Sequence, residues 1–109
     1  MDAVVAERAL EFYGDDGVGV GAIRVYAPVK DERVVDWLCQ FEFVWPGFQL
    51  RRSLFAPDSW AVLFAVNARV PRAIAETEDF KAGRIGMFGK KLTTARQVEK
   101  MLGLRKLWL

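Results

Sequence analysis

The chain has no histidine and only one cysteine, Cys39, among its 109 residues. Without histidine it cannot build a Ser/His/Asp triad or a Cys/His nucleophile pair, and it lacks the ligand clusters of zinc sites. Cys39 falls on the aromatic side of an alternating segment, a position typical of a small buried hydrophobe rather than a reactive thiol. The sequence therefore predicts no catalytic residue, no metal site and no cofactor.

Long apolar runs and a targeting segment are also missing. No stretch reaches the roughly 20 uncharged apolar residues that a membrane-spanning helix needs. Residues 1–8 lack the charged-then-apolar layout of a signal peptide, and a single cysteine cannot form an internal disulfide. Together these absences predict a cytoplasmic protein without a transmembrane segment.

The chain does contain enough apolar residues for one folded core. Its composition is 52% hydrophobic and 13% aromatic, which excludes a disordered chain, and its length fits one domain rather than two. We divide it into an α+β body over residues 1–91 and a basic amphipathic helix and tail over residues 92–109. This second segment either belongs to the same domain or is appended to it.

The first half of the chain alternates with the period of a β-strand. In the clearest segment every second residue is apolar, and these residues predict the core face of a sheet: Trp37, Cys39, Phe41, Phe43 and Trp45. Asp15-Asp16-Gly17 and Pro46-Gly47 have the chemistry of tight turns. The pattern predicts four antiparallel strands joined as a meander, over about residues 4–13, 18–29, 37–45 and 48–55.

A helical period replaces this alternation after residue 56. Asp58 or Ser59 begins a helix that is predicted to run to about Glu76. Pro71 lies inside that helix, where it lacks a backbone N–H and clashes with the preceding turn. The sequence leaves two outcomes open, a kink at Pro71 or a break into two helices with residues 67–69 as the loop.

The remaining segments are short. Residues 83–89 are too rich in glycine for a helix and predict a short edge strand or an ordered loop. Thr93 or Thr94 begins a last helix that runs to about Leu102, and Gly103 ends it. The predicted fold is therefore α+β: a four-stranded antiparallel meander packed against one long helix, followed by a short strand and a C-terminal helix.

Several short motifs are spread over residues 4–90. They are Ala6-Glu7-Arg8 with Leu10, Asp36-Trp37 with Cys39, Gly47, Asp58-Ser59 with Leu63, and Gly83-Arg84-Ile85 with Phe88-Gly89. This set resembles an uncharacterised family of small bacterial domains of similar length. The resemblance implies a small bacterial α+β domain and implies no activity. Members of that family lack the C-terminal tail and usually carry a small or polar residue in the place of Trp60.

Charge is divided unevenly along the chain. Residues 1–79 hold 8 Lys and Arg against 13 Asp and Glu, whereas residues 80–109 hold 8 against 1. The overall net charge of +2 hides this division. A basic segment that follows an acidic body indicates a surface for interaction.

The predicted interaction surface combines the basic residues of that segment with its terminal apolar residues. It consists of Lys90, Lys91, Arg96, Lys100, Leu104, Arg105, Lys106, Leu107 and Trp108. Three interpretations stay open. The helix packs an apolar stripe on the sheet and keeps a solvated basic face; the tail docks on another protein or a second copy; or the segment binds an anionic membrane surface or nucleic acid.

Other motifs indicate no established chemistry. Gly83, Gly86 and Gly89 precede two lysines, but their spacing does not match a phosphate-binding loop, and Lys91 stands where that motif has Ser or Thr. The carboxylate pairs of the chain fall at predicted turns or element ends, which is typical of solvated acids: Asp15-Asp16, Asp31-Glu32, and Glu76 with Glu78-Asp79.

The predicted function is a non-catalytic binding or interaction module whose partner is a protein, either another chain or a second copy held through the apolar tail. One alternative is a binder of anionic lipid or nucleic acid through the basic C-terminus. The other is a small enzyme that uses carboxylate and arginine chemistry. That enzyme requires a pocket with a carboxylate of raised pKa beside Arg24, Arg51 or Arg52.

Overall fold

The computed structural model describes residues 3–33 and 35–103, which form a mixed α+β unit around one sheet. The strands are β1 (Val4–Gly14), β2 (Gly17–Tyr26), β3 (Val29–Lys30), β4 (Trp37–Trp45), β5 (Phe48–Ala56), β6 (Ile85–Met87) and β7 (Lys90–Lys91). The helices are α1 (Ser59–Ala75), α2 (Glu78–Lys81) and α3 (Ala95–Leu102). Within these described ranges, no helix combines the length and the hydropathy that a bilayer crossing requires.

The sheet is antiparallel throughout, and its strands lie in the order β5, β4, β2, β1, β6, β7. β3 also pairs with β4, beside the end of β2. The four long strands are consecutive neighbours, as the meander requires. The sheet nevertheless has seven strands, so the prediction of four long strands and one short one is wrong in strand number.

Two local features produce the additional short strands. Pro28 has no backbone N–H, and it interrupts the strand that was predicted over residues 18–29, so pairing with β4 resumes only at β3. Phe88 and Gly89 then adopt positive φ angles of 53° and 76°. Positive φ at both central residues is the geometry of a two-residue hairpin turn, and it folds β7 back against β6.

The core lies between one sheet face and the helices. The alternation in β4 correctly predicts its buried face, which contains Cys39, Phe41, Phe43 and Trp45. α1 contributes a stripe at helical spacing: Val62, Val66, Val70 and Ile74, each with 0% of its surface exposed. Burying each side chain of this kind stabilises the fold by roughly 1.5–3 kcal/mol.

α1 is one continuous helix. The Asp58 carboxylate accepts a hydrogen bond from the Ala61 N–H at 2.8 Å and caps its first turn. The helix passes through Pro71 without interruption, so a break over residues 67–69 is excluded. Pro71 is itself buried beside the core stripe, and this burial offsets the backbone hydrogen bond that proline cannot make.

The structure contains a third helix that the sequence did not predict. α2 begins directly after α1, where the Thr77 hydroxyl accepts a hydrogen bond from the Phe80 N–H at 3.3 Å. Phe80 is buried in the core. The prediction of one long helix and a C-terminal helix is therefore wrong in helix number, since the described residues form three helices. Thr77 caps a new helix directly after Glu76.

Candidate binding groove between two helices

α3 packs beside α1, and a groove of about 690 Å³ lies between them. We call it the helix groove. Its walls are Asn67, Ala68, Pro71 and Arg72 from α1, and Ala95, Arg96, Glu99, Lys100, Leu102 and Gly103 from the α3 segment. Several of these residues are small, so the two helices leave an open channel rather than interlocking side chains.

Local hydrogen bonds fix the N-terminal end of α3. The Thr94 hydroxyl accepts from the Gln97 N–H at 3.1 Å, and the Gln97 side-chain oxygen accepts from the Thr93 N–H at 2.8 Å. This reciprocal arrangement resembles a capping box. Val98 and Leu102 are buried, at 0% and 1% exposure, and Leu102 also forms part of the groove wall.

The C-terminal end of α3 is held by β1. Gly103 takes a left-handed φ of 58° and ends the helix. The Arg8 guanidinium donates from Nε to the Leu102 carbonyl oxygen at 2.9 Å. A cation at this end also interacts favourably with the helix dipole, so α3 is anchored at both ends of the groove.

Asn67 is the most informative residue in the groove. Only 7% of its surface is exposed, yet no residue of the described ranges hydrogen-bonds to its side chain. No fully buried side-chain oxygen or nitrogen in those ranges lacks a partner, so the Asn67 amide must reach open space, and the groove that it lines supplies it. In the sequence, Asn67 falls in the segment that was one candidate for a loop, and no motif around it indicates that it lines a groove.

The charges around the helix groove are mostly positive. Arg72, Arg96 and Lys100 line it together with one carboxylate, Glu99. Within the described part of the chain, none of these four side chains forms an ion pair. The groove therefore presents an amide, several small apolar residues, and three cations beside one carboxylate to any ligand that enters it.

The described residues of the predicted interaction surface lie in two different places in the structure. Arg96 and Lys100 line the helix groove. Lys90 and Lys91 form β7, and the Lys91 ammonium lies 5.5 Å from the ring centre of Tyr13 on the sheet. Leu104, Arg105, Lys106, Leu107 and Trp108 lie outside the described residues.

A second polar cluster lies on the opposite, outer face of the sheet. It surrounds the Glu42 carboxylate, which accepts hydrogen bonds from Gln49 at 2.9 Å, from Tyr26 at 2.9 Å and from Arg24 at 3.2 Å. Glu42 is only 5% exposed. The hydrogen bond from Gln49, followed by those from Tyr26 and Arg24, outweighs burial and holds the pKa of Glu42 below its ordinary value.

The Glu42 cluster concerns the alternative prediction of a small enzyme that uses carboxylate and arginine chemistry. Glu42 is the buried one of two carboxylates beside Arg24, the other being the exposed Glu7, and the lowered pKa of Glu42 keeps it ionised at neutral pH. It is therefore not the protonated acid that such an enzyme needs. Arg51 stacks on the ring of Tyr26 at 4.2 Å from the ring centre, on the outer face. Arg52 lies on the other face of β5, beside α1.

The other motifs have structural partners. The Gly89 N–H, in the segment compared with phosphate-binding loops, donates to the Glu11 carboxylate at 3.0 Å. The Asp79 carboxylate accepts from the Trp45 indole at 2.8 Å. Burial raises the pKa of the Cys39 thiol to about 11, so this cysteine stays protonated. No three His, Cys, Asp or Glu residues of the described ranges are grouped to hold a metal ion.

No protein-family model, curated protein or solved structure matches the chain. The resemblance to small bacterial domains therefore stays a prediction, and any functional argument depends on the residues themselves.

Proposed function

We propose that this chain is a non-catalytic binding module that takes a carboxylate-bearing ligand in the helix groove. The observation that carries the proposal is the buried, unpartnered amide of Asn67, which opens into the groove. A bacterial cytoplasm is the proposed location, because the single cysteine suits a reducing compartment.

The Asn67 amide supports a polar ligand. Asn67 is only 7% exposed and its amide opens into the groove, so a ligand that accepts its N–H bonds replaces solvent at a position that the protein has already fixed. The groove volume of about 690 Å³ also lies within the roughly 300–1,000 Å³ typical of small-molecule sites.

The surrounding charges favour an anion. Arg72, Arg96 and Lys100 outnumber Glu99, and a charge-assisted hydrogen bond to a carboxylate is roughly twice as strong as a neutral one. The described cations of the basic segment are also divided between the groove and the β7 edge. This division favours a local ligand over an extended anionic membrane or nucleic acid.

The test is a titration of the ¹⁵N-labelled full chain with amphipathic organic acids, each matched to its primary amide. We expect the acids to shift the Asn67 side-chain NH₂ resonances and the Gly103 backbone resonance, and the amides to shift them far less. Asn67→Leu is expected to weaken binding of the acids about tenfold, which corresponds to one lost hydrogen bond to a charged group.

Arg33→Ala is the control, because Arg33 is an exposed cation that does not line the helix groove. It should leave the titration unchanged. Equal shifts by acids and amides, or acid binding that survives Asn67→Leu, would contradict the proposal.

Self-association through residues 104–109 is the second part of the proposed function. Residue 103, the last described residue, lines the helix groove, and the apolar residues of the tail follow it in sequence. Light scattering of the full chain and of a chain ending at Gly103 tests this at two salt concentrations. A dimer that becomes a folded monomer on truncation supports association through the tail, and equal masses contradict it.

A further inference from the structure

A second candidate interaction surface lies on the other side of α1, along the edge of the sheet that β5 forms. β5 is nine residues long, and in the described ranges it pairs only with β4. On the other side of the sheet, β7 has only two residues, both lysines, and β6 pairs with β1 only at Glu11 and Phe12. Short, charged edges resist the addition of another strand, whereas long edges favour it.

The register of β5 defines which backbone groups face outward. A two-residue turn joins Trp45 to Phe48, and these two residues are paired, so they exchange both backbone hydrogen bonds. Hydrogen-bonded and non-hydrogen-bonded pairs alternate along an antiparallel ladder. The N–H and C=O groups of Gln49, Ser53 and the other odd-numbered residues of β5 therefore point away from β4, toward the open edge.

A groove runs along this edge between β5 and α1. We call it the edge groove; its volume is about 480 Å³. Its apolar residues come mainly from the sheet: Phe41, Phe48, Leu50 and Leu54. A strand added beside β5 would place every second side chain in this groove, as in proteins that bind peptides by strand addition.

The charge of Arg52 determines which side chain an added strand can place beside it in the edge groove. Arg52 lies between Leu50 and Leu54 on the groove side of β5 and is exposed. It makes no ion pair with any residue of the described ranges, whereas Arg69 across the groove is paired with Glu76 at 3.3 Å. On the β5 side, the edge groove thus carries the positive charge of Arg52 between two apolar positions, whereas its carboxylates, Glu76 and Glu78, lie on the helix side.

The same residue opposes pairing of two copies through this edge. The antiparallel register that uses the whole length of β5 is centred on Arg52, which would place it opposite Arg52 of the second copy. Like charges directly opposite each other destabilise a strand pair, and opposite charges stabilise it. Charge complementarity therefore favours an acidic partner over a second copy of this chain.

We propose that the β5 edge binds an extended acidic peptide of another protein as an added antiparallel strand. An apolar, an acidic and an apolar side chain of that peptide, at alternate positions, enter the edge groove opposite Leu54, Arg52 and Leu50. This site is separate from the helix groove and does not depend on the ligand proposed there.

The experiment measures fluorescence anisotropy of two fluorescein-labelled peptides with the full chain. One peptide has leucine, glutamate and leucine at alternate positions with threonine between them, and the other has lysine in place of glutamate. We expect the glutamate peptide to bind roughly tenfold more tightly, since attraction to Arg52 is replaced by repulsion in the lysine peptide. Arg52→Glu should reverse this preference.

Two further variants separate strand addition from general charge attraction. Ser53→Pro removes an outward N–H without touching the ladder to β4, and it should abolish binding of both peptides. Arg33→Glu makes the same charge change at an exposed residue that lines neither groove, and it should leave both affinities unchanged. A preference for glutamate that persists in Arg52→Glu, or normal binding by a folded Ser53→Pro variant, overturns the proposal.

A chain that ends at Gly103 tests whether residues 104–109 of the same chain, rather than an external peptide, occupy the β5 edge. Equal affinities with and without residues 104–109 agree with an external acidic strand. A tenfold gain for both peptides on truncation would identify the tail of this chain as the natural occupant of the edge, and would overturn the proposal.

Discussion

Glu42 shows at the scale of one residue how a side chain on the outer face of a strand becomes buried. It lies opposite Arg24 in the pairing of β4 with β2, and Gln49 reaches it from β5. Together with Tyr26, these neighbours cover the carboxylate and use both of its oxygens. The result is an ionised group held inside a polar cluster, in which the loss of one member leaves the others unpaired.

We predict that Glu42→Gln lowers the free energy of unfolding by about 1–3 kcal/mol at pH 7. The folded pKa of Glu42 is lowered, so its stabilisation is complete above the ordinary pKa of glutamate and is lost as pH falls through the folded pKa. The difference between wild type and variant should therefore shrink below about pH 4. Urea denaturation at pH 7 and in acid measures both values.

Glu7→Gln is the matched control for this prediction. Glu7 also pairs with Arg24, at 2.6 Å, but its side chain is 53% exposed. An exposed ion pair contributes about 0–1 kcal/mol, so this variant should change stability little. A Glu42→Gln effect that is the same in acid as at pH 7 would show that Glu42 does not act through its charge.

The β6–β7 hairpin shows at the scale of an element how one residue departs from the usual turn chemistry. Its two central positions both need positive φ, for which Asn-Gly is preferred, yet Phe88 occupies the first at φ 53°. Phe88 is 78% exposed, so its ring gains little from burial. The turn is instead held by the Glu11 carboxylate, which accepts hydrogen bonds from the Gly89 N–H and the Tyr13 hydroxyl.

We predict that Phe88→Asn raises the free energy of unfolding by about 0.5–1 kcal/mol, because asparagine adopts positive φ with less strain. Phe88→Val should lower it by a similar amount, since a β-branched residue is most strained there. Chemical denaturation of both variants checks the two signs. A loss of stability in Phe88→Asn would contradict the strain argument and indicate contacts that the exposed ring makes in the folded protein.

At the scale of the whole molecule, part of the basic C-terminal segment is packed in the core. Leu92, Val98 and Leu102 are each at most 1% exposed. Arg8 in β1 ties the end of α3 to the opposite end of the chain. The basic residues are therefore attached to a helix that the fold needs, rather than to an independent extension.

We predict that a chain ending at Lys91 is unfolded, whereas a chain ending at Gly103 is folded. The shorter chain loses three buried side chains at roughly 1.5–3 kcal/mol each, which approaches the roughly 5–15 kcal/mol that separates folded from unfolded small domains. Circular dichroism during heating compares the two chains. A cooperative transition in the chain ending at Lys91 would show that the sheet and α1 are stable without α3.

The parts of this structure that were predictable depend on neighbours in sequence. Asp58 and Thr94 cap helices through residues three positions away, and Gly103 ends α3 by its own conformational freedom. The alternation of β4 likewise predicts its core face. The surroundings of Glu42 and Asn67 were not predictable, because their partners and walls come from distant segments. The requirement for glycine at position 21 is a further example of a feature set by a distant segment. A Cβ atom there would lie 2.6 Å from the carbonyl oxygen of Val44 on the neighbouring strand.

The sequence alone determined the α+β class, the aromatic core face and the approximate ends of α1 and α3, because periodicity and capping act within a few residues. Tertiary structure decided that β5 pairs only with β4 among the described strands, and that Arg96 and Lys100 share a groove with Asn67 while Lys91 does not. Such features depend on which surfaces the packing of α1 and α3 covers. A local pattern cannot specify this, since it describes each element without its neighbours.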